Sequence, residues 1–107
     1  MKRLLPLAFM ACLSAHAEFR TGNKLLDEMK AENYFSNGVS LGYVMGVADA
    51  GSGSNHCPPP TVTAGQVSDM VKGTLESAPA IRHMPADSII YYVLNKAWPC
   101  AKKGQAL

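Results

Sequence analysis

Few residues in this chain carry side chains able to do chemistry. His56 and Cys57 are adjacent in mid-chain, His83 and Cys100 come later, and Gly38-Val39-Ser40-Leu41-Gly42 spells Gly-x-Ser-x-Gly. A nucleophile elbow of that spelling needs a strand before the serine, a helix after it and a covered sheet. The surrounding pattern offers no such sheet. A zinc site would have to draw on His56, Cys57, His83 and Cys100, but no Cys-x-x-Cys occurs and neighbouring His and Cys side chains rarely reach one ion. A catalytic thiol would lack a matched base and oxyanion donors. A disulfide between Cys57 and Cys100 suits the count better, with zinc and a free thiol as the alternatives. No catalytic, cofactor-binding or metal-ligating set is assigned, and the function expected is binding rather than catalysis.

The disulfide reading depends on where the chain is sent. Met1-Lys2-Arg3 is a basic start, Leu4 to Leu13 is apolar, and Ala15-His16-Ala17 is a small-x-small close. This is the layout of a secretory signal peptide over residues 1–17. Lipoprotein processing at Cys12 is the variant, although Phe9-Met10-Ala11 is a poor lipobox. Removal of 1–17 takes Cys12 away and leaves an even pair in an oxidising compartment, where disulfides persist. Closing a loop of about 44 residues would stabilise the fold by about 4 kcal/mol in the chain-entropy model.

Composition narrows the classes further. The 107 residues suffice for one small domain. Lys2 and Arg3 leave with the leader, so the ten basic residues fall to eight, equal to the eight acidic ones. The mature protein is therefore near neutral, with no basic stripe interleaved with aromatics for nucleic acid. No apolar run reaches the roughly 18 residues of a membrane span.

Four helices are expected to carry these groups. Thr21 can cap a helix from about Gly22 to Glu32, with Leu25, Leu26 and Met29 on one side. Asn33 to Asn37 should break it. A second helix should run from Ser36 or Asn37 to about Ala50, carrying Val39, Tyr43, Val44 and Val47. Gly51-Ser52-Gly53-Ser54-Asn55 has no regular pattern, and Pro58-Pro59-Pro60 stiffens the approach to the next helix. Thr63-Ala64-Gly65-Gln66 is a capping box opening that third helix, which is faced by Val67, Met70, Val71, Thr74 and Leu75. Pro79 ends that region. Pro85 suits the first turn of a fourth helix with Ile89, Ile90, Val93, Leu94, Ala97 and Trp98 on one side, and Pro99 stops it. Tyr91, Tyr92 and Trp98 read as core or rim. No stretch alternates with period two, so the fold class is all-α: a small bundle of about four helices stapled by one disulfide.

Two oddities fall on the second helix. Gly38, Gly42 and Gly46 are four apart and share a face. Each glycine costs a helix about 1 kcal/mol relative to alanine, so a close helix crossing is expected at Gly42 and Gly46, with a helix of the same chain or of a second copy. Asp49 sits near the carboxyl end, where the helix dipole disfavours an anion. Arg82 or His83 would be its cationic partner, with solvation as the alternative.

An ordered series of blocks adds a resemblance. Gly22-Asn23-Lys24-Leu25-Leu26, Leu41 to Ala50, Cys57-Pro58, Val62-Thr63-Ala64-Gly65-Gln66, Arg82-His83-Met84-Pro85-Ala86 and Ala97-Trp98-Pro99-Cys100 resemble the immunity proteins of type VI secretion amidase effectors, the Tai/Rap type. The likeness runs from about Phe19 to Cys100. It implies a small exported helical protein of the periplasm, often a homodimer, that binds a cell-wall amidase and blocks its papain-like Cys/His site. Relatives commonly carry a second cysteine pair where Met29 and Ser40 stand here, so the N-terminal half is less stapled.

On that resemblance the chain divides into a leader (1–17), an immunity-type domain (18–100) and a flexible tail (101–107). Its partner is a peptidoglycan amidase. The element expected to enter the cleft is Gly51 to Thr61, with Ser52, Ser54, Asn55 and His56 as contact residues and His56 at the tip. An ordinary linker is the competing reading of that segment. A general periplasmic structural or chaperone-like helical protein is the alternative for the whole chain.

Overall fold

The computed structural model describes residues 19–101. The expected leader, its cut after Ala17 and nearly all of the C-terminal tail lie outside them. Helices α1 (Gly22–Lys30), α2 (Tyr34–Gly51), α3 (Ala64–Ser77) and α4 (Ala86–Ala97) succeed one another, with a short 3₁₀ turn at Pro79–Ile81 between the last two. Among the described residues there is no strand, only isolated bridges at Thr21–Pro85 and Ser52–His56. The fold is all-α, as the period predicts. Cys57 and Cys100 are joined by a disulfide across Cα atoms 4.9 Å apart.

Side chains set the helix ends. Thr21 Oγ1 accepts from the Lys24 amide, starting α1. The break expected at Asn33 to Asn37 is shorter than its composition implies. Asn33 is a cap, its Oδ1 accepting from the Ser36 amide at 2.7 Å, so α2 begins at Tyr34. Asn37 lies inside α2, and its Nδ2 donates back to the carbonyls of Glu28 and Ala31 at 3.1 and 2.9 Å. Those carbonyls have no partner within α1, so one asparagine closes the first helix from the second. The capping box is present: Gln66 N donates to Thr63 Oγ1, and Thr63 N to Gln66 Oε1. Pro85 occupies the cap position of α4, one residue earlier than expected.

The core gathers all four helices around Leu25, Val44, Val71, Leu75, Ile90 and Leu94, each almost wholly buried. Burial of a Leu or Ile side chain stabilises by about 1.5–3 kcal/mol. The faces expected for α3 and α4 are the buried ones, with Ala97 exposed instead and Ala86 added. Tyr91 and Trp98 are half-buried and Tyr92 is exposed. For α2 the expected face is shifted: Ser40, Val44, Ala48 and Gly51 are buried, while Val39, Tyr43 and Val47 are only partly so.

The close crossing at Gly42 and Gly46 does not occur within the chain. A Cβ built on Gly38, Gly42 or Gly46 meets nothing within 4 Å, so this face of α2 looks outward. The tight glycines are elsewhere. A Cβ at Gly51 would lie 2.6 Å from Tyr91 Cε1 and 2.9 Å from His56 Cε1; at Gly22 it would lie 2.7 Å from Ile89 Cδ1 and 2.9 Å from the Arg82 carbonyl. Gly51 lets α2 end against α4, and Gly22 lets α1 begin against the turn between α3 and α4.

Candidate partner-binding site

The segment after α2 is a folded turn. The Gly51 carbonyl accepts from the amides of Ser54 (3.1 Å) and Asn55 (2.8 Å), and Gly53 N donates to His56 O at 2.8 Å. Gly53 sits at φ +89°, in the left-handed region glycine tolerates. Cys57 N donates to Trp98 O at 2.8 Å, beside the disulfide, and Pro58-Pro59-Pro60 leads on to α3. The segment continues from α2 at one end, and its other end, Cys57, is held to the end of α4 by this hydrogen bond and the disulfide.

His56 is not at the tip of this turn. It is 1% exposed, and its ring lies beneath the crest with Nε2 donating to Ala48 O at 2.8 Å. Nδ1 faces Asn55 Nδ2 at 2.9 Å. A carbonyl can only accept and an amide NH₂ can only donate, so these partners set the tautomer, with the hydrogen on Nε2. Asn55 is committed too: its Nδ2 donates to Tyr91 O at 3.1 Å and its carbonyl accepts from Asn95 Nδ2 at 2.7 Å. Both residues fasten the loop to α2 and α4. Of the four expected contact residues, Ser52 and Ser54 are exposed, next to exposed Gly53, with Pro59, Pro60 and Thr61 further along the same segment.

Below the crest lies a groove of about 270 Å³, lined by residues that include Asp49, Ser52, His56, Pro58 and Trp98. Asp49 is exposed, and no ion pair among the described residues joins it to Arg82 or His83. The turn carrying those two residues is pinned elsewhere: Arg82 O accepts from Asn23 N at 2.8 Å and Met84 O from Gly22 N at 2.9 Å. The Arg82 backbone thus closes the start of α1, while Asp49 flanks the 52–60 segment. Solvation, the alternative reading for Asp49, is what the structure shows.

One charged cluster is absent from the sequence reading. Arg20 grips Glu28 through two 2.9 Å hydrogen bonds, with Lys24 3.9 Å away, and its guanidinium lies 5.1 Å from the Tyr43 ring centre. The Arg20 hydrogen bonds hold the Glu28 carboxyl below its ordinary range, and Glu28 in turn raises the guanidinium's pKa. Burial pushes the Tyr43 phenol up. Arg20 O also accepts from Ala86 N at 2.8 Å, so this residue ties α1, α2 and α4 together. Its signal in the sequence was an arginine eight residues before a glutamate, a spacing no local rule singles out.

The Gly-x-Ser-x-Gly spelling lies in mid-helix, where buried Ser40 donates its hydroxyl to Asn37 O at 3.0 Å. That is a helix back-bond, not a nucleophile on a strand-to-helix turn. No helix among the described residues is long and apolar enough to cross a membrane.

The described residues thus form a disulfide-stapled four-helix domain with a fastened, surface-exposed turn. Residues 21–100 match the model of the Rap1a immunity proteins, and the chain belongs to that family. Its role is accordingly immunity against a type VI secretion effector, and its partner a toxin; the family is not catalytic, and neither is this chain. No curated protein matches it in sequence.

Proposed function

We propose that the effector is a peptidoglycan amidase and that the mature protein, cut after Ala17, binds it in the periplasm and covers its active-site cleft, acting as a homodimer. The observation that carries this reading is the fastened turn. A segment entering a groove loses affinity if it must first be ordered. Here Gly51 to Cys57 is already held by the Gly51 carbonyl, His56, Asn55 and the disulfide, leaving Ser52, Gly53 and Ser54 at the surface. These small residues allow close approach of backbone to a narrow cleft.

The test is inhibition by crest variants. The protein purified from the periplasm should inhibit the amidase encoded beside it on peptidoglycan fragments. Ser52→Tyr and Ser54→Arg should raise the inhibition constant at least tenfold while leaving the helical circular dichroism and melting temperature unchanged. Equal inhibition by both variants moves the contact surface to a helix face. Tight binding only to an effector of another chemistry overturns the amidase assignment but not the family.

A further inference from the structure

Asp49 carries a charge that the fold neither uses nor favours. It is the only charged residue among the 18 of α2, and it stands in the last turn, where the helix dipole disfavours an anion. No basic residue in that turn offsets it, and it makes no ion pair among the described residues. What the carboxylate does is flank the groove below the crest. Pro58, Pro59, Pro60 and Trp98 line the same groove, and Asp49 is the one charged residue in its lining. His56, which also lines it, is committed to the Ala48 carbonyl. These walls are set before any partner arrives, because proline has little backbone freedom and Trp98 O is held by Cys57 N beside the disulfide. Ser52 belongs both to the lining and to the exposed crest. A protein surface that receives the crest therefore also covers the groove.

We infer that the groove takes a basic side chain of the effector, whose cation meets Asp49 while its aliphatic stem lies along Trp98 and the prolines. The inference rests on the crest reading above and not on the amidase. Charge selects this occupant. An apolar or acidic side chain would cover the carboxylate without a partner, and a covered, unpaired charge is strongly penalised. A basic one satisfies it, between apolar walls that shield the pair from water and so strengthen it. Arginine fits best, since its planar guanidinium pairs a carboxylate through two hydrogen bonds and stacks on an aromatic face. The misplaced charge then has a reason. Local rules broken without compensation in the fold mark functional positions, and here the compensation comes only in the complex.

Binding of the effector encoded beside this protein, measured by calorimetry at several salt concentrations, tests the groove with three variants. Asp49→Asn should weaken binding at least tenfold and flatten its salt dependence. It should leave the melting temperature of the free protein equal or higher, because a misplaced anion has gone. Asp49→Glu, which keeps the charge, should retain most of the affinity. Trp98 is the only tryptophan in the chain, so its indole resonance in isotope-labelled protein should shift when unlabelled effector is added. Ser54→Arg is the control on the crest. If Asp49→Asn binds as tightly as the parent while Ser54→Arg does not, the groove is overturned and the crest reading stands. If neither variant weakens binding, both fall. A lowered melting temperature in Asp49→Asn would place the cation within this chain, and would overturn the inference as well.

Discussion

Glycines and a histidine carry the most at the scale of the residue. Gly51 should not tolerate a side chain: Gly51→Ala drives a methyl against Tyr91 and the His56 ring, and overpacking of that kind costs about 1–3 kcal/mol. Gly73, mid-way along α3, meets nothing within 4 Å, so Gly73→Ala should stabilise by up to about 1 kcal/mol. Urea denaturation of the two variants checks both signs at once. His56→Ala should destabilise by about 2–4 kcal/mol, because it opens a cavity and leaves the Ala48 carbonyl buried without a donor. If its midpoint is unchanged, the histidine is not the pillar of the loop. Sequence inspection cannot rank these positions. It shows which residues are glycine, but what a Cβ would meet depends on Tyr91 and Ile89, which arrive from another helix.

For the elements, the legible part came from local physics. The capping box of α3, the proline stops and the one-sided stripes of α3 and α4 are short-range signals, and the structure keeps them. The inward face of α2 was not legible for a physical reason. That helix is apolar nearly all round, so its period has no phase, and the side turned inward is set by small residues, Ser40, Ala48 and Gly51, that let other helices come close. The Arg20–Glu28 clamp escaped for a related reason, since it forms only once the chain before α1 folds back along it. It has a pH signature. Glu28 has a lowered pKa, so the stabilisation is complete above the ordinary carboxylate range and is lost as pH falls through the lowered value. Arg20→Ala should cost about 1 kcal/mol at neutral pH, and the gap from the parent protein should close on acidification. Denaturation midpoints of both proteins between pH 7 and pH 3 measure it. A gap that stays constant means that Arg20 acts through packing on Tyr43 alone.

Across the whole molecule, the disulfide and the loop belong to one design. Cys57 to Cys100 ties the end of the fastened turn to the end of α4, so the presented crest and the stability of the bundle are coupled. Replacing both cysteines by alanine should lower stability by up to about 4 kcal/mol and weaken effector binding further, since the base of the turn is released. The family was legible because ordered blocks survive in a bare sequence, and the pairing of Cys57 with Cys100 because the third cysteine, Cys12, falls in the expected leader. Which residues of the loop are exposed was not, since His56 and Asn55 look like polar tip residues until their partners on α2 and α4 are known.

The proposed inhibition is tested most directly by titrating the oxidised protein into a peptidoglycan amidase encoded beside it and measuring release of peptidoglycan fragments. Stoichiometric loss of hydrolysis is expected, relieved at least tenfold by Ser54→Arg on an otherwise intact fold. Full hydrolysis at a large excess of the folded protein would contradict the proposed function.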